Sequence, residues 1–178
     1  MPDLNPFAAL NEVENFLQAG GNVLLVIMGA TFIMWGMILE RFIYFGVAHG
    51  GVAKKAQKVW AERADHSTFW ALAVREKLIS DVRQESERFI GMIRAFVGVA
   101  PLLGLLGTVT GMIEVFDVMA ATGSSNARLM AGGISKATIP TMAGLVASLS
   151  GVILISVLDR RTKAAVAKIS DDLVVEPH

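Results

Sequence analysis

The 178-residue chain has no cysteine, and only 18% of its residues are charged. The missing cysteine rules out a disulfide framework, thiol catalysis and Cys-ligated zinc or iron–sulfur centres. Soluble domains carry about a quarter charged residues, so the shortage of charge argues against an ordinary cytosolic enzyme. Net charge is absent too. Sixteen Lys and Arg balance sixteen Asp and Glu, which removes the electrostatic case for binding nucleic acid. The three histidines, His49, His66 and His178, are isolated, with no His/Asp/Glu cluster, phosphate loop or nucleophile triad around them. The expectation is a protein that is not an enzyme and needs no cofactor or metal.

What is present is clustering of charge, with long gaps between. No charge falls between Glu14 and Glu40, between Arg94 and Glu114, or between Lys136 and Asp159. A membrane-spanning helix needs roughly 20 mostly apolar residues to cross a ~30 Å hydrocarbon core. The first gap qualifies by extending toward Tyr44, and the other two qualify directly. A chain this short cannot wrap three such helices in polar layers as a soluble core. The expected class is an all-α membrane protein with three transmembrane helices, at 22–45, 94–120 and 131–158.

Orientation follows from Lys and Arg. Residues 1–22 hold none, whereas 46–94 holds nine: Lys54, Lys55, Lys58, Arg63, Arg75, Lys77, Arg83, Arg88 and Arg94. Arg160, Arg161, Lys163 and Lys168 follow the third gap. The positive-inside rule places the N-terminus outside, with 46–93 and the tail 159–178 in the cytoplasm and 121–130 as an outer loop. The acidic start without a basic leader is unlike a secretory signal, so span one is expected to be the uncleaved anchor.

Outside the bilayer the pattern is helical. Asn5-Pro6 reads as a cap followed by proline at the first helical position. Phe7, Leu10, Val13 and Leu17 share a face until Gly20-Gly21, which predicts an amphipathic helix over 1–21 lying on the outer membrane face. Val52, Ala56, Val59 and Trp60 share another face. After Asp65-His66-Ser67, the series Leu72, Ile79, Val82, Ser86, Phe89, Ile93, Phe96 runs into span two at helical spacing. It predicts one helix from Ser67 to Ala120. Span three is expected to continue past the bilayer as well, because Asp159 to Leu173 holds no strong breaker. Long helices two and three would then both extend into the cytoplasm.

Spans two and three are rich in small residues: Ala100, Gly104, Gly107, Thr108 and Gly111 in one, and Thr141, Ala143, Gly144, Ala147, Ser148 and Gly151 in the other. Small residues let helix backbones approach closely where lipid offers no hydrophobic drive. Span one carries Phe32, Trp35, Phe42, Tyr44 and Phe45 and reads as lipid-facing on most sides. Folding the hairpin near Ser124-Ser125 sets Thr108 level with Thr141, Gly111 with Thr138 and Glu114 with Lys136. Each threonine either bonds the carbonyl one turn back in its own helix or belongs to a polar layer lining a pore. Glu114 and Lys136 can form a rim charge pair, with Asp117 the alternative partner for Lys136, whose place near a helix N-terminus disfavours a cation. Pro101 and Pro140 each remove a helix hydrogen bond, and Pro140 frees the carbonyl of Lys136.

The run Ala100-Pro101-Leu102-Leu103-Gly104-Leu105-Leu106-Gly107-Thr108-Val109-Thr110-Gly111-Met112 resembles the second-span signature of the MotA/TolQ/ExbB proton-channel family. Thr141-Met142-Ala143-Gly144-Leu145-Val146-Ala147 resembles its third-span T-x-x-G-L motif. Three spans fit ExbB and TolQ better than the four-span MotA, and the short chain is most similar to compact ExbB proteins of secondary TonB systems. The resemblance implies a homo-pentamer in the bacterial inner membrane, enclosing the single helices of an ExbD-type dimer. Proton flow would drive rotation, transmitted by a TonB-type protein to outer-membrane uptake of iron chelates or similar nutrients. It also implies that the titrating carboxylate belongs to the partner and that Thr108 and Thr141 face it in the proton pathway. One departure is Lys136, which stands where many ExbB proteins carry glutamate, so no proton-carrying role is assigned to it. Another is Ser148-Leu149-Ser150-Gly151, which replaces the family's A-I-P stretch. A TolQ-like subunit of the Tol-Pal envelope system is the near alternative, and a passive scaffold packing through its small-residue faces is the alternative of another class.

Overall fold

The computed structural model describes residues 6–63, 66, 68–123 and 127–174, and every regular element in them is helical. Helix α1 spans Pro6–Ile43 and passes through a π-helical turn, Tyr44–Ala48, into α2, His49–Ala61. Helices α3, Phe69–Glu87, and α4, Ile90–Thr122, follow, and α5 covers Ala127–Asp172. Three helical stretches, Gly20–Ala61, Phe69–Thr122 and Met130–Asp172, are long and apolar enough to cross a membrane. Only 22%, 28% and 28% of their most apolar windows are buried within the chain, which leaves most of that apolar surface for lipid or other chains. The side chains of Phe7 and Leu10, expected on the amphipathic face, lie outside the described residues, as do Ser124 to Asn126 in the hairpin connection.

Local sequence explains the interruptions. Gly21 sits at φ 64°, ψ −165° inside α1, a conformation that costs glycine little and other residues much, so α1 consists of two helical pieces meeting there. Thr68 caps α3, its Oγ1 accepting from the Ala71 backbone N–H at 3.4 Å. The expected single helix from Ser67 to Ala120 is corrected: it breaks between α3 and α4, where Arg88 is extended and Phe89 takes φ 63°. A left-handed non-glycine residue costs roughly 1–2 kcal/mol. Its surroundings hold it there. The Arg41 guanidinium, 1% exposed, donates to the Glu85 carbonyl at 2.8 Å, satisfying a last-turn carbonyl of α3. It also stacks over the rings of Tyr44 at 4.5 Å and Phe89 at 5.6 Å.

The chain divides into two compact units. One comprises residues up to Met34 together with Ala95–Gly151. In it α1 presents Leu24, Ile27 and Met34, all buried, while Phe32 on the other side is 83% exposed. Its α4 and α5 meet through glycines. A methyl placed on Gly104 would lie 2.9 Å from the Pro140 carbonyl oxygen and the Thr141 Cα, and one on Gly111 would lie 2.9 Å from the Ala137 Cα.

The second unit comprises Trp35–Arg94 and Val152 onward. Ala56, Trp60, Ala71, Val82, Ile169 and Leu173 form its core, so the α5 stretch beyond Asp159 is a packed helix rather than a loose tail. Its C-terminal carbonyls are capped by side chains, Arg75 donating to Ser170 and Leu173 and Trp60 Nε1 to Val174. Arg94 pairs with Asp159 at 3.0 Å. One expectation fails here. Tyr44 is buried at 8% exposure, because it packs edge-on against Phe45 and beneath Arg41. Val59 and Leu72 are exposed, since Ala56, Trp60, Ala71 and Val82 already fill the core face.

Candidate functional site: a threonine pair between two helices

Thr108 sits in the middle of α4 and Thr141 one residue after Pro140 in α5, and their hydroxyl oxygens are in hydrogen-bond contact. The approach depends on Gly104 and Gly144, which place bare backbone where side chains would hold the helices apart: Gly144 packs on the Ala100 carbonyl and on Gly104. Thr141 Oγ1 donates to the Gly104 carbonyl at 2.8 Å, across the helix interface. Thr108 Oγ1 lies 3.5 Å from the same carbonyl in its own helix. Either hydroxyl can donate in the contact between them; where Thr141 gives its proton to Gly104, the shorter of the two carbonyl distances, Thr108 donates to Thr141 and keeps a lone pair open to a further donor. Both threonines are half-buried. By contrast, Thr31, Thr110, Thr122, Thr138, Ser150 and Ser156 bond carbonyls of their own helices.

A second interhelical bond has a cause in the sequence. Pro101 has no N–H and leaves the Val97 carbonyl without its helical donor. Ser148 Oγ, from α5, donates to that carbonyl at 2.9 Å. Gly107 faces Pro140 and Val23, and Gly151 faces Val97 and Met34. Ala147 is buried and Ala143 half-buried on the same helix. The register brings Gly111 against Ala137, one residue from the expected Thr138.

Glu114 and Lys136 both line a cavity of about 510 Å³ bounded by α1, α4 and α5. Both are exposed, and among the described residues no ion pair joins Lys136 to Glu114 or to Asp117. The register brings the two to one cavity without a direct contact.

The sequence pattern does not single out Arg41. The available signal was that it is a cation at the end of an apolar run, and a charge in such a place normally has a specific partner. His49 packs among Tyr44 and Phe45, and His66 bonds the Trp60 carbonyl at 2.9 Å. Among the described residues no group of three or more His, Asp or Glu side chains could hold a metal ion.

Comparison with known proteins gives the family. The chain is 39% identical over 106 residues to biopolymer transport protein exbB1 of Vibrio cholerae, covering 57% of this chain and 43% of the relative. It is 37% identical over 73 residues to the ExbB-like 3 biopolymer transport protein of Synechocystis, covering 40% and 35%. It is 31% identical over 96 residues to biopolymer transport protein ExbB of Pseudomonas putida, covering 54% and 29%. The matches therefore span less than half the length of these relatives. The sequence model of the MotA/TolQ/ExbB proton channel family matches residues 37–171. With three apolar helices of membrane-crossing length and a family match over most of its residues, the chain is a multi-pass membrane protein belonging to the MotA/TolQ/ExbB proton channel family.

Proposed function

We propose that this chain is an ExbB-like subunit of a proton-driven motor in the bacterial inner membrane, energising TonB-dependent uptake across the outer membrane. Five copies would surround the single helices of an ExbD-type dimer, which carries the titrating carboxylate. In this reading the N-terminus and 121–130 are periplasmic, while 46–93 and 159–178 are cytoplasmic, as the Lys and Arg distribution favours. The ExbB names of the relatives favour this system over a TolQ-like one.

The observation that carries the reading is the hydroxyl chain Thr108 to Thr141 to the Gly104 carbonyl. A threonine that only satisfies itself bonds its own helix, whereas this pair joins two helices and leaves the Thr108 oxygen able to accept. A partner carboxylic acid beside Thr108 would find an acceptor when protonated and, after the hydroxyl rotates, a donor when ionised. Hydroxyls serve both states without holding a charge in the membrane.

Thr108→Val keeps the shape and removes the hydroxyl. The expected result is normal protein level and assembly, with proton-driven uptake of an iron chelate reduced at least tenfold, and Thr141→Val should behave alike. Growth on the chelate at the wild-type rate, with normal protein level, would sink the pathway role and favour a passive scaffold.

A further inference from the structure

One face of α5 touches a row of α4 carbonyl oxygens. Thr141 Oγ1 donates to that of Gly104 at 2.8 Å, Gly144 packs on that of Ala100, and Ser148 Oγ donates to that of Val97 at 2.9 Å. Helical spacing puts Thr141, Gly144 and Ser148 on a single face. The three acceptors are not equivalent. Within α4 the Gly104 and Ala100 carbonyls keep helical donors, the N–H groups of Thr108 and Gly104. The Val97 carbonyl has none, because its donor position is Pro101. Its bond to Ser148 therefore meets a need that the helix leaves open, and an unmet carbonyl is costly in an apolar span. Thr141 has another choice, since a threonine can bond the carbonyl one turn back in its own helix.

Small residues bring the two helices close but do not fix their register. Ala100, Gly104 and Thr108 recur at every fourth position of α4, and Ala143, Ala147 and Gly151 do so on α5. A slide of one helical turn, about 5.4 Å, sets small residues opposite small residues again. The carbonyl freed by proline occurs once on α4, and a lone polar contact of this kind can specify the register of paired helices.

We infer that Ser148 is a positioning residue for the threonine pair: by binding the carbonyl that Pro101 frees, it fixes the register of α5 on α4. It stands two helical turns, ~10 Å along the axis, from Thr141 on the same face. A one-turn slide would carry the Thr141 hydroxyl away from the Gly104 carbonyl and from Thr108. The consequence for transport rests on the motor reading. The register does not.

The absence of native cysteine lets paired thiols report the register directly. A Cβ placed on Gly133 stands 3.5 Å from the Val115 Cβ, within the ~3.5–4.5 Å range of disulfides. Val115→Cys with Gly133→Cys should therefore link on oxidation. Ala137 faces Gly111 instead, so Val115→Cys with Ala137→Cys should link only after a slide. Each pair is placed in the full chain, assembled with its co-expressed single-span partner, and oxidised with copper phenanthroline in native membranes. A hydrogen bond between membrane helices shifts an equilibrium by about threefold to twentyfold. Ser148→Ala should lower the ratio of 115–133 to 115–137 linking by that factor and, in the cysteine-free chain, reduce proton-driven uptake. Ser148→Thr keeps the hydroxyl and should leave the ratio unchanged. Pro101→Ala restores the N–H; alone it should keep the native ratio, and combined with Ser148→Ala it should bring that ratio back.

An unchanged ratio in Ser148→Ala, or no 115–133 link in the chain with Ser148 intact, overturns the proposal. Equal loss in Ser148→Thr shows that side-chain size sets the register, and loss in Pro101→Ala alone shows that the bend does; either overturns it, as does a double variant without recovery. Should Ser148→Ala fail to assemble, assembly regained in the double variant supports the proposal, and failure of both overturns it. A slid register with undiminished uptake overturns the transport consequence and counts against the motor reading, while the register role stands.

Discussion

At the scale of single residues, the site depends on atoms that are missing as much as on those present. Thr108 and Thr141 meet because Gly104 and Gly144 carry no side chain. Gly104→Ala should therefore separate α4 from α5, since its methyl would fall 2.9 Å from the Pro140 carbonyl oxygen and the Thr141 Cα. Overpacking of this kind costs about 1–3 kcal/mol, and proton-driven uptake should fall along with stability. Gly98→Ala on the same helix is the comparison, because its methyl meets nothing within 4 Å. Thermal unfolding in detergent with uptake in parallel distinguishes the two variants, and equal behaviour would refute the close-contact account. The threonines, glycines and prolines of this site were legible in the sequence, because small residues at helical spacing in an apolar span have few other uses. That Thr141 would choose the Gly104 carbonyl of the neighbouring helix was not legible, since own-helix bonding is equally available to any threonine.

At the scale of elements, the break between α3 and α4 is the feature that periodicity concealed. The apolar spacing through Val82, Ser86 and Ile93 continues across the break, and Val82 and Ile93 are indeed buried. A three-to-four-residue spacing survives a change of backbone at one point, so it cannot report Phe89 at φ 63°. The break is stabilised by Arg41, more than forty residues earlier, through the Glu85 carbonyl. Replacing Arg41 by Met keeps an unbranched chain of similar reach and removes the guanidinium. Hydrogen bonds from charged groups are worth about 1.5–3 kcal/mol, so Arg41→Met should lower stability by that order. Amide exchange should accelerate at 85–93 more than within α5. Unchanged exchange at that junction would show that Arg41 does not hold it. The 46-residue length of α5 is the opposite case. No breaker lies between Asp159 and Leu173, and at ~1.5 Å per residue the helix is roughly 70 Å long, more than twice a ~30 Å hydrocarbon core.

For the whole molecule, the decisive quantity is the apolar surface left over. Leu102, Leu105, Val109, Ile113, Leu145, Val146 and Leu149 are all exposed in the single chain, although they belong to the two helices that carry the threonine pair. Lipid alone could cover them, but a helix pair lined with small residues and polar hydroxyls suits contact with further protein. Native mass spectrometry of the detergent-solubilised protein, expressed with its neighbouring membrane genes, is expected to give five copies holding two copies of a single-span protein with a membrane Asp. A homo-oligomer that captures no such partner would favour the scaffold and return the threonine pair to a packing role.

The sequence by itself determined the class. Gaps in charge, composition and the Lys and Arg distribution depend only on which residues follow which, so three long apolar helices and the glycine-rich pairing of two of them could be read directly. Only the tertiary structure decided which carbonyl each freed hydroxyl would take, that Arg41 would be buried beneath an α3–α4 break, and that Glu114 and Lys136 would share a cavity without pairing. Those outcomes turn on distances between segments far apart in the chain. Local periodicity carries the direction of a side chain on its own helix, but not the depth or separation of the helix opposite.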